Sequence, residues 1–164
     1  MSVDHPELAA ASERLRAEQT VPGLLGALAR AYVDVVGARS CTISRVIGDL
    51  LVDLIQYQQV GEPQRLGHGY LISDYPLTRA VIEEHEPRTV FVGDADADAN
   101  EVKLLRELGF DSVLMVAIEA EDGVWGLVEV YDQDGRRFGD EDVRLAQALA
   151  AEAGQRLRQL ERPA

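Results

Sequence analysis

Hydrophobic positions concentrate in two runs, residues 112–119 (SVLMVAIE) and 124–131 (VWGLVEVY), joined by Ala120-Glu121-Asp122-Gly123. Asp-Gly between β-branched and aromatic stretches predicts a hairpin, because glycine accepts the positive φ of a tight turn. Both runs are apolar on both faces, the pattern of central strands covered from each side. Ahead of them, Asp4-His5-Pro6 predicts a helix start with Asp4 as cap, followed by Leu8, Ala11 and Leu15 at helical spacing. Thr20-Val21-Pro22 repeats the signal, and Leu24, Leu25, Leu28, Tyr32, Val35 and Val36 predict a second helix ending at Gly37. Residues 40–47 and 50–60 read as strands, turned by Gly48-Asp49 and closed by Gly61-Glu62-Pro63. The stretch through Gly67 and Gly69 has no strong period.

Further along, Ser73-Asp74-Tyr75-Pro76 opens a short helix bearing Leu77, Val81 and Ile82, which Pro87 should stop. A strand over 88–92 and a loop over 93–99 follow, and Asn100 is expected to cap a helix ending at Gly109. A last helix from Gly139 carries Val143, Ala146, Leu149, Ala150, Ala153, Leu157 and Leu160. That stripe runs far enough to suggest a partner helix outside the domain. Antiparallel strand pairs with helices at the ends and in the middle favour an α+β fold over a parallel βαβ sheet.

Alternation along 124–131 sets Gly126, Val128 and Val130 on one face, and Trp125, Leu127, Glu129 and Tyr131 on the other. Gly126 opposite the Ala-rich last helix suggests close helix-on-sheet packing. The second face then belongs to the loops and short helices between Gly61 and Gly109, with the sheet as the floor of a pocket. A carboxylate such as Glu129 is costly to bury unless paired or protonated, and Arg79 is the nearest candidate partner. The plain alternative puts Glu129 at the wet end of its strand.

Composition narrows the function more than the fold. A chain of 164 residues holds one domain with a sizeable core. A net charge of −13 argues against nucleic acid and anionic membrane surfaces as partners. The single cysteine, Cys41, excludes an intrachain disulfide, fits a cytoplasmic location, and reads as a small buried apolar residue. Asp94, Asp96 and Asp98 alternate like the start of a calcium loop, but Ala99 and Leu105 occupy its bend and bidentate positions, so a solvated loop is expected. His5, His68 and His85 have no ligand spacing, so no metal site is expected. No nucleophile–base or metal constellation points to an enzyme.

Several stretches, in this order and spacing, resemble a GAF domain from about Pro22 to Leu160. They are Tyr75-Pro76-Leu77-Thr78, residues 104–116 (LLRELGFDSVLMV), residues 123–130 (GVWGLVEV) and residues 137–142 (RFGDED). The resemblance implies a six-stranded antiparallel sheet with terminal helices on one face and a small-molecule cavity on the other. It implies dimers through the terminal helices, and ligands that range from cyclic nucleotides and bilins to haem and amino acids. Asp74-Tyr75-Pro76 is similar to the Asp-Ile-Pro of phytochrome-type members, whose pattern would turn Val113, Met115, Ala117, Glu129 and Tyr131 toward the chromophore. Where those members carry Cys-His, this chain has Asp96-Ala97, so thioether attachment of a bilin is not available. One cysteine cannot supply the catalytic and resolving pair of the free methionine sulfoxide reductases of the same family. The Asn-Lys-x-Phe-x-Asp-Glu signature of the cyclic-nucleotide phosphodiesterase members is absent as well.

The expected organisation is an N-terminal helix over 1–19 and a GAF domain over 20–160, with the helix 139–160 in a dimer interface. The expected function is non-catalytic sensing of a small molecule, relayed through the terminal helices of a homodimer to a separate effector. The expected ligand site comprises Tyr75, Thr78 and Arg79 from a lid, with Met115, Leu127, Glu129 and Tyr131 from the sheet. The competing expectation is a ligand-free dimerisation module, since the terminal stripes are explained without any ligand. Neither the ligand nor a cofactor is named by the residues themselves.

Overall fold

The first helix, α1 (Pro6–Ala17), starts under His5, whose Nδ1 accepts from the Leu8 N–H at 3.2 Å. The computed structural model describes residues 5–59 and 68–162, so the expectations for Asp4, Gly61-Glu62-Pro63 and Gly67 lie outside the described residues. The second, α2 (Val21–Tyr32), is capped by Thr20, whose Oγ1 accepts from the Gly23 N–H at 3.1 Å. The helical stripe expected to reach Gly37 does so as a wider π-helical turn over Val33–Gly37. Arg136, in the turn before the last helix, donates to the Val36 carbonyl at 3.0 Å and the Gly37 carbonyl at 2.7 Å, satisfying groups that the helix end leaves open.

Six strands form one antiparallel sheet: β1 (Ser40–Ile47), β2 (Leu50–Gln58), β3 (Gly69–Leu71), β4 (Arg88–Phe91), β5 (Ser112–Ala120) and β6 (Gly123–Asp132). Their order is β3-β2-β1-β6-β5-β4, so the most apolar hairpin, β5–β6, lies inside the sheet as expected. The three residues of β3 are too few to show a period, which is why the pattern gave no strand there. Helices α1, α2 and α5 (Asp140–Glu161) cover one face. On the other lie a 3₁₀ turn (Ile72–Asp74), α3 (Pro76–Glu84) and α4 (Ala99–Leu108). Two helix ends differ from expectation: His85, in the left-handed region at φ 60°, ends α3 before Pro87, and Asp98 rather than Asn100 caps α4.

Two bulges correct the simple alternation. In β6, Ile118 pairs with Gly126 and Glu119 with Val124, which leaves Trp125 as an extra residue. Its side chain therefore packs with Val128 and Val130 on the helix face, not with Leu127 and Tyr131 as strict alternation predicts. In β2, Ile43 pairs with Ile55 and Ser44 with Asp53, so Leu54 is the extra residue.

The glycine that brings helix to sheet is also not the expected one. A Cβ on Gly126 would lie 2.4 Å from the Ser44 carbonyl oxygen of the neighbouring strand, so Gly126 serves strand-to-strand approach. Gly154 in α5 seats the helix, since a Cβ there would lie 2.3 Å from the Glu119 carbonyl oxygen. Leu149, Ala153 and Leu157 are fully buried beside it, and the Tyr32 hydroxyl donates to the Ala146 carbonyl at 2.8 Å. Most of the stripe that suggested a partner helix is thus buried within the chain's own core.

Candidate functional site

The face opposite the terminal helices encloses a cavity of about 300 Å³. Its floor comes from β1, β2 and β6, which present Thr42, Asp53, Gln56, Glu129 and Tyr131. Asp53 and Gln56, three residues apart, would face opposite ways in a regular strand, and the bulge at Leu54 lets both reach the cavity. The walls are Tyr70 of β3, Tyr75 and Thr78 at the start of α3, and Leu104, Glu107 and Leu108 of α4. Tyr70 and Tyr75 meet edge-to-face with ring centroids 6.1 Å apart. Asn100 donates to the Asp74 carbonyl at 2.9 Å, tying the start of α4 to the turn before α3.

Buried carboxylates define the electrostatics. Glu129, 8% exposed, accepts at Oε2 from the Tyr131 hydroxyl at 2.8 Å. Burial, reinforced by the charge of Glu101, pushes its carboxyl up to about 8, and the Tyr131 hydrogen bond offsets only part of this. Glu101 is itself buried on α4 and accepts from the Thr78 hydroxyl at 2.8 Å, its carboxyl raised by the same desolvation. Asp53 is raised by burial too, against the opposing hydrogen bond from the Ser44 hydroxyl at 2.6 Å. Desolvation lifts the Tyr70 phenol to about 12 and the Tyr131 phenol well above its ordinary value. The Tyr131 ring is held flat against Phe110, with centroids 5.0 Å apart.

Of the residues expected at the site, Tyr75, Thr78, Glu129 and Tyr131 converge on this cavity. Met115 and Leu127 are fully buried in the core cluster of the same face and do not line the cavity, although Met115 Sδ lies 3.5 Å from Thr78 Oγ1. Arg79 faces solvent and donates to Glu83 at 2.9 Å one helical turn away, so it is not the partner of Glu129. Glu129 does not sit at a wet strand end, and among the described residues no lysine or arginine pairs with it: burial and a tyrosine hold it.

Sequence reasoning passed over Asp53, Glu101 and Tyr70. Glu101 carried a usable signal, because it stands four residues before Leu105 and seven before Leu108 on the apolar stripe of its helix. Asp94 pairs with Arg137 and Asp98 caps α4, so the loop carboxylates do not converge, and no metal-ligating cluster occurs among the described residues.

Comparison with known proteins gives a consistent frame. No curated protein matches the chain. The chromophore-binding domain of an unusual bacteriophytochrome from R. palustris has a similar fold, with a TM-score of 0.83 at 14% identity, covering 94% of this chain and 60% of that one. A domain in its far-red absorbing dark state with bound biliverdin gives 0.82 at 16% identity, covering 95% of this chain and 99% of that one. The chromophore-binding domain of a Stigmatella aurantiaca bacteriophytochrome gives 0.77 at 15%, covering 95% and 61%. The chain therefore spans 60% of the length of the first of these, and at such identities the likeness concerns the fold alone. The model of the GAF domain matches residues 23–157, most of the sequence, and the chain belongs to the GAF domain family.

Proposed function

We propose that the chain is a non-catalytic sensory domain that binds a small molecule in the cavity on the β1–β2–β6 floor. The observation that carries this reading is the pair of hydroxyl–carboxylate contacts, Tyr131 to Glu129 on the floor and Thr78 to Glu101 across the lid. Both are buried and cost desolvation; the first sets the polar floor within β6, and the second ties α3 to α4 while the same Thr78 hydroxyl meets Met115 Sδ of the sheet, an arrangement that a ligand can reset. A route to the terminal helices exists at Glu119. Its carboxylate contacts His85 at the end of α3, and its carbonyl lies under Gly154 of α5.

In this reading the domain works as a homodimer through its terminal helices and passes the change to a separate effector. Because the apolar stripe of α5 is buried internally, its outward face offers Arg144, Gln147, Ala151 and Gln155, and the dimer would use that polar surface. The competing reading, a ligand-free dimerisation module, would use the same outward surface, since the apolar stripe of α5 is mostly buried within the chain.

Native mass spectrometry of the purified protein, followed by a thermal-shift survey of a small-molecule library, tests the proposal. A ligand at a hundred times its Kd contributes roughly 2.7 kcal/mol, or about 5–10 °C in a domain of this size. The shift should shrink in Glu129→Gln and Tyr131→Phe. A survey in which nothing co-purifies and no compound moves the wild-type Tm would overturn it.

A further inference from the structure

The charge of the cavity narrows what it can hold. Asp53 comes from β2, Glu129 from β6 and Glu107 from α4, with Glu101 behind Thr78, and His68 is the single basic side chain among the described lining residues. Glu129 stands out within this set. Only the Tyr131 hydroxyl, at Oε2, donates to it among the described residues, and Oε1 takes no hydrogen bond although the side chain is more than nine-tenths buried. A buried carboxylate with half its acceptors unused either keeps a proton or receives a cation. Tyr70 and Tyr75 supply the aromatic surface that organic cations favour.

We infer that the cavity takes a compact organic cation, a protonated amine or amidine, with its N–H groups on the free oxygen of Glu129 and its body against Tyr70 and Tyr75. The inference rests on reading the cavity as the ligand site. It disfavours phosphate-bearing and carboxylate-bearing ligands, which would lay negative charge against Asp53 and Glu107 with no lysine or arginine among the described lining residues to receive it. The volume of about 300 Å³ is at the lower end of small-molecule sites and favours a single ring or a short chain over a tetrapyrrole.

Binding carries a proton balance. In the empty cavity near neutral pH, Glu129 holds its proton, and an arriving cation favours the carboxylate, so the ligand enters charged and one proton leaves to solvent. Affinity therefore rises with pH up to about 8. The other titratable groups sharing the cavity are Asp53 from β2, His68 just before β3, Tyr70 from β3, Tyr75 ahead of α3, Glu107 and Glu101 from α4, and Tyr131 on the same strand.

Isothermal titration calorimetry of the whole chain with benzamidine, benzamide and benzoate, three probes of one shape and different charge, tests the inference. Benzamidine should bind at least roughly tenfold tighter than benzamide, and benzoate should give no binding heat at millimolar concentration. The benzamidine heat should vary with the ionisation enthalpy of the buffer, showing proton release at pH 7. Glu129→Gln, which keeps an acceptor for Tyr131, should lose that release and most of the charge preference while its circular dichroism stays native. Asp53→Asn should weaken benzamidine more than benzamide. Equal or tighter binding of benzamide or benzoate, no binding of any probe, or an undiminished preference in Glu129→Gln each overturns the cation. A neutral or anionic library compound that stabilises wild type but not Glu129→Gln would keep the site and sink the cation, whereas a library with no binder removes the site itself.

Discussion

Gly154→Ala sets two effects of opposite sign against each other, and the structure decides which wins. In an exposed helix interior the change is favourable by about 1 kcal/mol, because alanine loses less backbone freedom than glycine. At this position the new Cβ would lie 2.3 Å from the Glu119 carbonyl oxygen, a backbone atom that no rotamer change can move aside. An ordinary carbon–oxygen contact needs about 3.3 Å, so α5 must lift by roughly 1 Å. A gap of that size forfeits a quarter to a half of each dispersion contact it opens, and Ala146, Leu149, Ala153 and Leu157 are all fully buried along that helix. Overpacking of this kind costs about 1–3 kcal/mol before any gain in propensity is counted. Gly154→Ala should therefore forgo the propensity gain and destabilise the domain by up to about 2 kcal/mol in urea unfolding followed by far-UV circular dichroism, with an unchanged m-value. Ala151→Gly on the exposed side of the same helix calibrates propensity alone and should cost about 1 kcal/mol. A Gly154→Ala protein more stable than wild type by the full propensity gain of about 1 kcal/mol would refute the seating of α5 on Glu119.

Three further outcomes follow from other contacts. Below about pH 4.5, Glu129 is protonated in the folded and unfolded chains alike; as pH rises toward 8 only the unfolded chain gives up the proton, so wild type loses stability through that window. The stability of Glu129→Gln relative to wild type should accordingly grow between pH 5 and 8.5, on the order of 3 kcal/mol, and a difference flat in pH would contradict the burial of this carboxyl. Arg79→Ala removes an exposed, solvent-screened pair with Glu83 and should leave the urea midpoint and the ligand affinity unchanged; a lost ligand response would return Arg79 to the site. Tyr32→Phe deletes the buried hydrogen bond to the Ala146 carbonyl and should cost about 1 kcal/mol in the same denaturation assay, while an unchanged midpoint would show that bond to be immaterial.

The fold was legible in the chain where periodicity is long and local. The β5–β6 hairpin, the terminal helices and the strand pair 40–58 follow from runs of eight or more residues and from turn glycines. What alternation could not reveal is where it breaks. Nothing in Val124-Trp125-Gly126 marks the extra residue that carries Trp125 to the helix side, because a bulge depends on the neighbouring strand's register as much as on its own side chains. The same limit hid Asp53 from the cavity. The stripe on α5 was read correctly as a buried face, but spacing does not say whether the covering surface belongs to the same chain. At the site, Glu129 and Tyr131 were visible as polar tips on an apolar strand. Arg79 was misplaced because a surface partner one turn away, Glu83, satisfies it without any desolvation.

The extra residue in β2 has a consequence for the chain's tolerance of length changes. With Leu54 removed, Asp53 and Ile55 become adjacent and fall into ordinary alternation, each on the face it already occupies, and the pairings Ser44–Asp53 and Ile43–Ile55 need not shift. Leu54 is 42% exposed, so little buried surface goes with it. A deletion at that one position leaves the cavity's polar pattern intact, whereas a deletion at Gln56 removes a lining residue and, if the bulge closes to absorb it, turns Ile55 toward the cavity in its place.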